Sequence, residues 1–267
     1  MSLKGIVSLD GREREWKEYL STIEPGDFPG SIKLAIYKAF EVERDRWVSV
    51  STLLRCLRKA KWEHEEDYFL PQQIAYYFMR GTLIHGVLEA ASVTDNIRTD
   101  TIVFMEKDLS RPVPETNSKL IGRVDKYENR VLYDYKTMAD QGIHRIIKDG
   151  PKEDHIWQVN MYKWLLEYNG FPVDDIVIIY VMMSNSAQTG SEFIMTDRKG
   201  NKSLIPISKI PIYTDGMIED YIVPKFKYLE KYGEPPAKPE DWYCNTCYFR
   251  NRCNDVIGKG NAIIEEA

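Results

Sequence analysis

Two acids and a lysine have the types and the spacing needed to hold a divalent cation beside a phosphate. Asp134 and Lys136 lie two residues apart in the run RVLYDYKT at 130–137, and Asp125 precedes that run. Because side chains alternate between the faces of a strand, Asp134 and Lys136 point to one face. A hairpin of 119–127 and 130–137 would set its strands about 5 Å apart, so Asp125 would reach the same ion. Carboxylates with open water positions suit Mg²⁺ or Mn²⁺, and a lysine can orient a water or stabilise charge on a phosphate.

An acid two residues before a lysine is a weak signal when it stands alone. At about 6% for each charged residue type, roughly one or two matches occur by chance in a chain of this length. The sequence holds two such matches elsewhere, Glu15-Trp16-Lys17 and Asp197-Arg198-Lys199. The order of the surrounding residues therefore carries the argument.

Further residues surround the acid–lysine pair in a definite order. Gly122 begins a Gly-x-x-Asp sequence, and His85 lies upstream on a predicted helix. Downstream, Gln158 and Tyr162 are four residues apart on a predicted helix, so they share one of its faces. His155 lies close to Gln158 on that helix and is a weaker candidate for lining a cleft.

This ordered set closely resembles the RecB-like branch of the PD-(D/E)xK nuclease superfamily. That branch has a helix histidine, then GxxD, then (D/E)xK, then QxxxY, and the resemblance covers roughly residues 50–255. An aspartate at 134 is allowed by the pattern. The resemblance implies an α/β fold of the restriction-endonuclease-like type, in which a mixed β-sheet is flanked by helices. An N-terminal helical segment and a C-terminal cysteine cluster would complete it.

The resemblance also implies roles for individual residues. It implies that Mg²⁺ or Mn²⁺ is held by His85, Asp125 and Asp134. It implies that the catalytic residues are Asp125, Asp134 and Lys136. It further implies that the DNA strand or the active site is supported by Gln158 and Tyr162.

Four cysteines form a second candidate centre. Three of them make the compact sequence Cys244-x₂-Cys247-x₅-Cys253, and Cys56 is the one other cysteine of the chain. In a cytoplasmic protein this pattern favours metal binding over disulfides. The chemistry of four thiolates fits a structural Zn²⁺ and an iron–sulfur cluster equally well.

The placement of the cysteines is similar to that in two RecB-like groups. These are the CRISPR-associated Cas-four exonucleases and the AddB-type helicase–nuclease domains, and both carry a 4Fe–4S cluster. The resemblance implies a 4Fe–4S cluster held by Cys56, Cys244, Cys247 and Cys253. It also implies a metal-dependent exonuclease that acts on single-stranded DNA ends in repair or recombination, in phage biology or in CRISPR spacer processing. An integrase or a recombination protein would be its partner. Two alternatives stay open: a non-catalytic DNA-binding or scaffold subunit, and a structural zinc protein.

Hydrophobic periodicity predicts the elements that must position these residues. The predicted helices cover 31–45, 51–62, 71–92, 153–168 and 215–231. The predicted strands cover 100–106, 119–127, 130–137 and 174–183, with a loop over 107–118. These elements predict a single mixed α/β domain, and the resemblance implies that it is a nuclease domain in three consecutive parts: an N-terminal helical part over 1–98, the nuclease core over 99–200, and a C-terminal helix with the cysteine tail over 201–267.

Composition excludes several classes of protein. The 267 residues are 43% hydrophobic and 12% aromatic, which argues against a disordered chain. The net charge of −5 argues against a general nucleic-acid coat, since such proteins are usually basic. The longest apolar run lies near Ile176–Met183 and is far shorter than the about 20 residues that span a membrane. The N-terminus has no secretion-signal pattern, so we predict a cytoplasmic protein with no membrane partner.

Overall fold

Ten strands and eight helices lie in the part of the chain that the structure, a computed structural model, describes. That part comprises residues 3–8, 10–22, 28–40, 48–95, 103–138, 140–182, 195–196, 202–203, 207–232, 244, 247–250 and 252–253. The strands are β1 (Leu3–Val7), β2 (Glu13–Glu15), β3 (Tyr68–Pro71), β4 (Val103–Pro112), β5 (Lys119–Glu128), β6 (Val131–Met138), β7 (Asp175–Met182), β8 (Met195–Thr196), β9 (Lys202–Ser203) and β10 (Ile207–Lys209). The helices are α1 (Trp16–Ser21), α2 (Gly30–Phe40), α3 (Val50–Leu53), α4 (Leu57–Glu65), α5 (Gln72–Asp95), α6 (Asp140–Asp149), α7 (Glu153–Tyr168) and α8 (Asp215–Tyr232).

A five-stranded mixed sheet has the strand order β10-β7-β6-β5-β4. β6 and β7 are parallel, and the other neighbours in this sheet are antiparallel. A parallel pair needs a crossover connection, which here contains α6 and α7. Ile176, Val177 and Ile178 of β7 are all buried, as expected for a strand that is covered on both faces. The prediction of a buried strand over 174–183 is confirmed for the residues that the structure describes.

The hairpin that joins β5 to β6 turns at Asn129 and Arg130. Their φ values are 50° and 65°, and a two-residue turn of type I′ requires positive φ at both positions. The sequence predicted the turn one residue earlier, but Glu128 pairs with Val131. An ion pair of 2.7 Å from Arg130 to Asp174 helps to hold the turn. The predicted hairpin is confirmed, with its turn shifted by one residue.

Helix α7 packs against β4, β5 and β6 and supplies much of the core of this sheet. Its bounds agree with the predicted helix over 153–168. Five of its apolar side chains are fully buried: Val159, Met161, Trp164, Leu165 and Leu166. Burial of an aliphatic side chain of this size contributes about 1.5–3 kcal/mol. The helix ends at Asn169, and Gly170 follows with φ 84°, the left-handed conformation that commonly ends a helix.

The chain forms two compact units, and each unit is made of segments that are not consecutive in the sequence. The first contains residues 1–48, 55–76 and 228–267, and with them the mixed sheet β2-β1-β3 and all four cysteines. The second contains residues 49–54 and 77–227, and with them the five-stranded sheet. Each of the two candidate centres therefore lies within a single unit. The predicted mixed α/β architecture is confirmed as two mixed sheets with flanking helices.

Contrary to the sequence prediction, the N-terminal part is not purely helical. β1 pairs antiparallel with β2 and parallel with β3. These strands hold only three to five residues, too few for the alternating pattern that distinguishes a strand in a sequence. Because β3 ends at Pro71, α5 begins at Gln72 rather than at the predicted Pro71.

The predicted helix over 51–62 is in fact two helices. Ser49 is the N-cap of α3, and it exchanges hydrogen bonds with Thr52 in a capping box. The first helix ends at Leu53, and Cys56 is the N-cap residue of α4. The apolar spacing continues through the break, so periodicity alone joined the two helices.

The first half of the predicted loop over 107–118 is strand, and the second half is loop. β4 runs to Pro112 and pairs with β5 along its length. It forms an edge of the five-stranded sheet, where a proline is tolerated because its missing N–H is not needed by a neighbour. α6 lies where the sequence analysis assigned no element.

Parts of three predicted elements lie outside the described residues: 41–45 of the first helix, 100–102 of the first strand, and 183 of the strand over 174–183. The predicted helix over 215–231 is confirmed as α8. None of the helices that the structure describes is long and apolar enough to cross a bilayer.

Candidate metal centre

The strands β5 and β6 separate at the point where the two predicted acids lie. Their last paired residues toward this point are Lys126 and Tyr133, and the same register would next set Asp125 against Asp134. Instead, Oδ2 of Asp125 accepts a hydrogen bond from the backbone N–H of Tyr135 at 2.8 Å. The side chain of Asp125 thus accepts a hydrogen bond that a backbone carbonyl oxygen would accept in a regular antiparallel pair. Both acids therefore stand where the sheet opens.

Asp134 is almost completely buried, with 1% of its surface exposed. Among the described residues, neither of its carboxylate oxygens has a hydrogen-bond partner of good geometry. Nζ of Lys136 lies 2.5 Å from Oδ2 as an ion pair. A buried carboxylate whose lone pairs are not satisfied is costly, and a cation bound at this point would satisfy them.

The electrostatics of Asp125 also fit a cation. Burial and then repulsion from Asp134 raise the pKa of Asp125 to about 7, although Lys136 and His85 act in the opposite direction. Two carboxylates that share a site cannot both ionise easily. A divalent ion between them removes this repulsion and favours both ionised forms.

His85 projects from α5 toward these acids. Its Nδ1 lies 3.0 Å from Oε1 of Glu106 and 3.7 Å from Oδ1 of Asp125. The hydrogen bond to Glu106 raises the pKa of His85, and burial opposes that rise. The ring of Tyr135 meets the imidazole edge to face at 6.4 Å. The helix histidine is thus held beside Asp125, as the sequence predicted.

Glu106 is part of this centre, and the sequence analysis missed it. It stands on β4 between the pairs Met105–Lys126 and Lys107–Val124, and therefore opposite Asp125. Among the described residues, the group of metal-ligating side chains whose ligand atoms all lie within 4.8 Å of one another consists of His85, Glu106 and Asp125. A single acid in a β-forming run is too common a signal to reveal such a role.

The glycine of the GxxD sequence, Gly122, lies where a larger residue would collide with α7. A Cβ built on Gly122 would lie 2.7 Å from Cδ1 of Leu165 and 2.9 Å from Cε1 of Tyr162. Only glycine therefore lets α7 approach β5 this closely. That approach places Tyr162 near the acids. Burial, and then the charges of Asp125 and Asp134, raise the pKa of Tyr162.

Gln158 and Tyr162 act as one unit on α7. Nε2 of Gln158 donates a hydrogen bond to the hydroxyl of Tyr162 at 3.1 Å. Tyr162 is 6% exposed. The structure thus pairs the two residues of the predicted QxxxY sequence with each other and directs the tyrosine toward the carboxylates.

His155 lies one turn earlier on α7 and contacts a different residue. Its Nδ1 is 3.1 Å from the hydroxyl of Tyr180. Burial and then the charges of Lys136 and Lys152 lower the pKa of His155 to about 3. Tyr180 is the β7 partner of Lys136 in the parallel ladder. A neutral His155–Tyr180 pair therefore stands next to the strand position of the lysine.

The four cysteines lie together in the first compact unit as free thiols. Burial raises the pKa of Cys247, whose surroundings include Lys59, Cys56 and Cys244. Sγ of Cys253 accepts a hydrogen bond from Nη1 of Arg58 at 3.7 Å. The structure thus brings Cys56 to the C-terminal cysteines, as the sequence predicted.

Aromatic contacts hold the cysteine-bearing tail on α4. Phe249 meets Trp62 edge to face at 5.4 Å. Tyr248 stacks on Tyr68 at 5.3 Å, and Nζ of Lys59 lies 4.5 Å from the centre of the Tyr248 ring. No three of these thiols, all in the described part of the chain, bring their sulfur atoms within 4.8 Å of one another.

Comparisons with known proteins show the fold. No family model matches this chain, and no curated protein does. A solved structure described as the crystal structure of SSO0001 is similar, with 18% sequence identity and a TM-score of 0.52. The match covers 83% of this chain and 93% of that chain. At this identity the likeness extends to the mixed α/β fold, which the chain shares with SSO0001.

Proposed function

We propose that this protein is a metal-dependent nuclease that hydrolyses phosphodiester bonds in DNA, on a restriction-endonuclease-like core. The observation that carries the proposal is the set of contacts made by the buried carboxylate of Asp134. Its buried carboxylate has unsatisfied oxygens, faces Asp125 where two strands separate, and contacts Lys136. A set of two acids and a lysine around a cation matches the needs of phosphodiester hydrolysis.

The residues of this chain have separable parts in that reaction. A divalent cation bound by Asp125, Asp134 and His85 would polarise the phosphate and lower the pKa of a bound water. Lys136 keeps part of its side chain exposed, at 17%, so its amine can donate to the attacking water or to a phosphate oxygen. The oxygen of the water would then bond to phosphorus as the bond to the leaving oxygen breaks, and the proton that the water loses would end on the leaving oxygen, which departs as a hydroxyl group.

Gln158 and Tyr162 position the reacting groups. The raised pKa of Tyr162 keeps its hydroxyl protonated, so it remains a hydrogen-bond donor beside the acids. Gln158 orients that hydroxyl. Loss of either contact would loosen the metal ligands or the bound strand rather than remove the chemistry.

The resemblance to RecB-like nucleases supports DNA as the polymer and single-stranded ends as the preferred form. It also supports a role in repair or recombination, in phage biology or in CRISPR spacer processing, with an integrase or a recombination protein as partner. The acidic net charge of −5 agrees with this preference, because broad duplex affinity needs a positive surface.

We also propose that the four cysteines hold a 4Fe–4S cluster rather than Zn²⁺. The support is the placement of the cysteines, one before the nuclease-like motifs and three after them, which is similar to that in RecB-like groups that carry a 4Fe–4S cluster. Four thiolates also fit Zn²⁺, so the iron, sulfide and zinc content of anaerobically purified protein decides between the two.

The experiment that tests the nuclease is degradation of end-labelled linear single-stranded DNA with Mn²⁺ or Mg²⁺. Wild type should degrade the strand, and Asp134→Asn should lower the rate by about a hundredfold or more, because the cation is worth several kcal/mol to the transition state. Asp174→Asn is the control, since the Asp174 side chain forms its ion pair with Arg130 at the exposed hairpin turn. Wild-type binding of DNA without any cleavage would favour the scaffold alternative. Equal degradation of circular strands would contradict the preference for ends.

A further inference from the structure

Exposed hydrophobic side chains concentrate on helix α5. Among the described residues, nine large hydrophobic side chains are exposed, and four of them lie on this helix: Tyr77, Phe78, Leu83 and Val87. Hydrophobic residues scattered singly over a surface are normal, whereas a concentration of them marks a site of interaction. The same helix carries His85 to the acids of the candidate centre. α5 therefore presents an apolar surface beside the residues proposed for catalysis.

Phe78 leaves α5 on the side that faces the candidate centre. It lies seven residues before His85, which is about two helical turns, so the two side chains leave the helix in nearly the same direction. The imidazole of His85 lies 3.0 Å from Glu106 and 3.7 Å from Asp125. At a rise of about 1.5 Å per residue, Phe78 and His85 are about 10 Å apart along the helix axis. Phe78 is 52% exposed, so its aromatic ring is accessible on this side of the helix.

The helix comes close to β6 between Phe78 and His85. A Cβ built on Gly81 would lie 3.7 Å from Oγ1 of Thr137, and Thr137 follows Lys136 directly on the strand. A phosphate held at Lys136 and the acids would therefore lie near this part of α5. A distance of about 10 Å corresponds to about three stacked nucleotides at about 3.4 Å each. The ring of Phe78 is thus within reach of a base that lies a few nucleotides from the reacting phosphate.

The charge of this segment suits a polyanion. The chain contains 41 aspartates and glutamates, and none of them lies in residues 68–88. A run of this length without an acid is unusual in a chain whose net charge is −5, and it removes the repulsion that acids would exert on phosphates. Every base has a π-face that can stack on an aromatic ring. The exposed ring and the absence of acids together favour a nucleic-acid strand over a protein as the partner of this surface.

We infer that Phe78 stacks on a base of single-stranded DNA close to the reacting phosphate. The inference rests on the proposed nuclease function and names a residue that gives the enzyme its preference for a single strand. In a duplex, neighbouring base pairs already cover both faces of each base, so the ring has no free face to meet. Because stacking tolerates every base, Phe78 contributes affinity without sequence specificity. Phe78 is a binding residue, since it does not touch the reacting atoms.

The test measures binding of labelled single-stranded oligodeoxynucleotides to the full chain, with a chelator present so that no strand is cleaved. Phe78→Ala should weaken binding by about 5- to 100-fold, the usual loss when one base–aromatic stack is removed. Phe78→Trp should retain the wild-type affinity. Leu83→Ala is the matched control, because Leu83 is 53% exposed on the same helix but leaves it about 140° away from Phe78. It should bind like wild type.

A strand of the same length made of abasic nucleotides separates stacking from a general loss of structure. It keeps the phosphates and lacks the bases, so wild type should bind it more weakly than the normal strand by a similar factor. Phe78→Ala should bind both strands with nearly equal affinity, and so should Phe78→Leu, which keeps an apolar side chain and protects the fold. Leu83→Ala should keep the wild-type ratio. A Phe78→Ala protein that retains the wild-type ratio would overturn the inference, as would wild type that binds the two strands equally.

These outcomes also separate the inference from the nuclease proposal. Ring-dependent binding without cleavage in Mn²⁺ would contradict the nuclease and leave the stacking contact intact. Cleavage of single strands by Phe78→Ala at the wild-type rate and KM would leave the nuclease intact and contradict the stacking contact.

Discussion

The two candidate centres of this protein are built in opposite ways. The carboxylate centre stands on neighbouring strands of one sheet, and Asp125 and Asp134 are buried to 8% and 1% exposure. The cysteine cluster joins the N-cap of α4 to a distant segment of the chain, and all four thiols are half-buried. The first centre is positioned by the backbone hydrogen bonds of paired strands. The second depends on side-chain contacts of the tail, so its cofactor should contribute to folding as well as to function.

The largest expected effect separates activity from stability at the carboxylate centre. Asp134→Asn should lower nuclease activity by about a hundredfold or more. Its thermal midpoint should stay within about 3 °C of wild type in metal-free buffer, because the sheet does not need the charge and repulsion with Asp125 is relieved. Calorimetric scans beside cleavage assays provide the measurement. An Asp134→Asn protein that is unfolded in metal-free buffer would contradict the expectation that the carboxylate centre, unlike the cysteine cluster, is not needed for folding.

The cysteine cluster should show the reverse pattern. Cys247→Ser should remove iron and acid-labile sulfide from anaerobically purified protein and lower its thermal midpoint, because binding energy of a cofactor is folding energy where its ligands are not preorganised. Mn²⁺ binding at the carboxylate centre should survive. Cys56→Ser should have the same effect, since we propose that Cys56 and Cys247 bind the same cluster. Colourless wild-type protein with stoichiometric zinc would show that the cysteines bind Zn²⁺ and not an iron–sulfur cluster.

The packing of α7 against β5 tests how much the sheet that carries the carboxylate centre contributes to stability. Gly122→Ala should lower the free energy of unfolding by about 1–3 kcal/mol, because the added methyl meets Leu165 and Tyr162 below contact distance. Gly86→Ala is the matched control, since a Cβ at Gly86 meets nothing within 4 Å. On a helix that change should be neutral or stabilising by up to about 1 kcal/mol. Urea unfolding of both variants measures the difference.

The smallest effect concerns pH and the neutral His155. Its folded pKa of about 3 lies below the unfolded value of 6.5, so the unfolded chain binds more protons between these values. Stability from this residue is therefore present above about pH 6.5 and is lost as pH falls toward 3, with a slope of at most about 1.4 kcal/mol per pH unit. His155→Gln should flatten the slope of unfolding free energy between pH 6 and 4.5. An unchanged slope would contradict the buried, neutral state of His155.

The sequence alone determined the features that depend on local periodicity. Alternation over 130–137 set Asp134 and Lys136 on one face, and the hairpin with 119–127 brought Asp125 to them. Helical spacing predicted α7 with its bounds, and with it the pairing of Gln158 and Tyr162. These predictions succeeded because a strand face and a helix face are set by residues two or four apart, whatever the rest of the chain does.

Tertiary structure alone decided what depends on neighbours that are distant in the chain. Glu106 entered the centre because β4 pairs with β5 in the register that sets it opposite Asp125, and no local pattern marks that pairing. The short strands β1 and β3 likewise form because they pair with each other. The role of Gly122 became visible only when Tyr162 and Leu165 of α7 filled the space of its missing side chain. Strand pairing and helix packing are cooperative contacts between remote segments, so a single sequence window does not contain them.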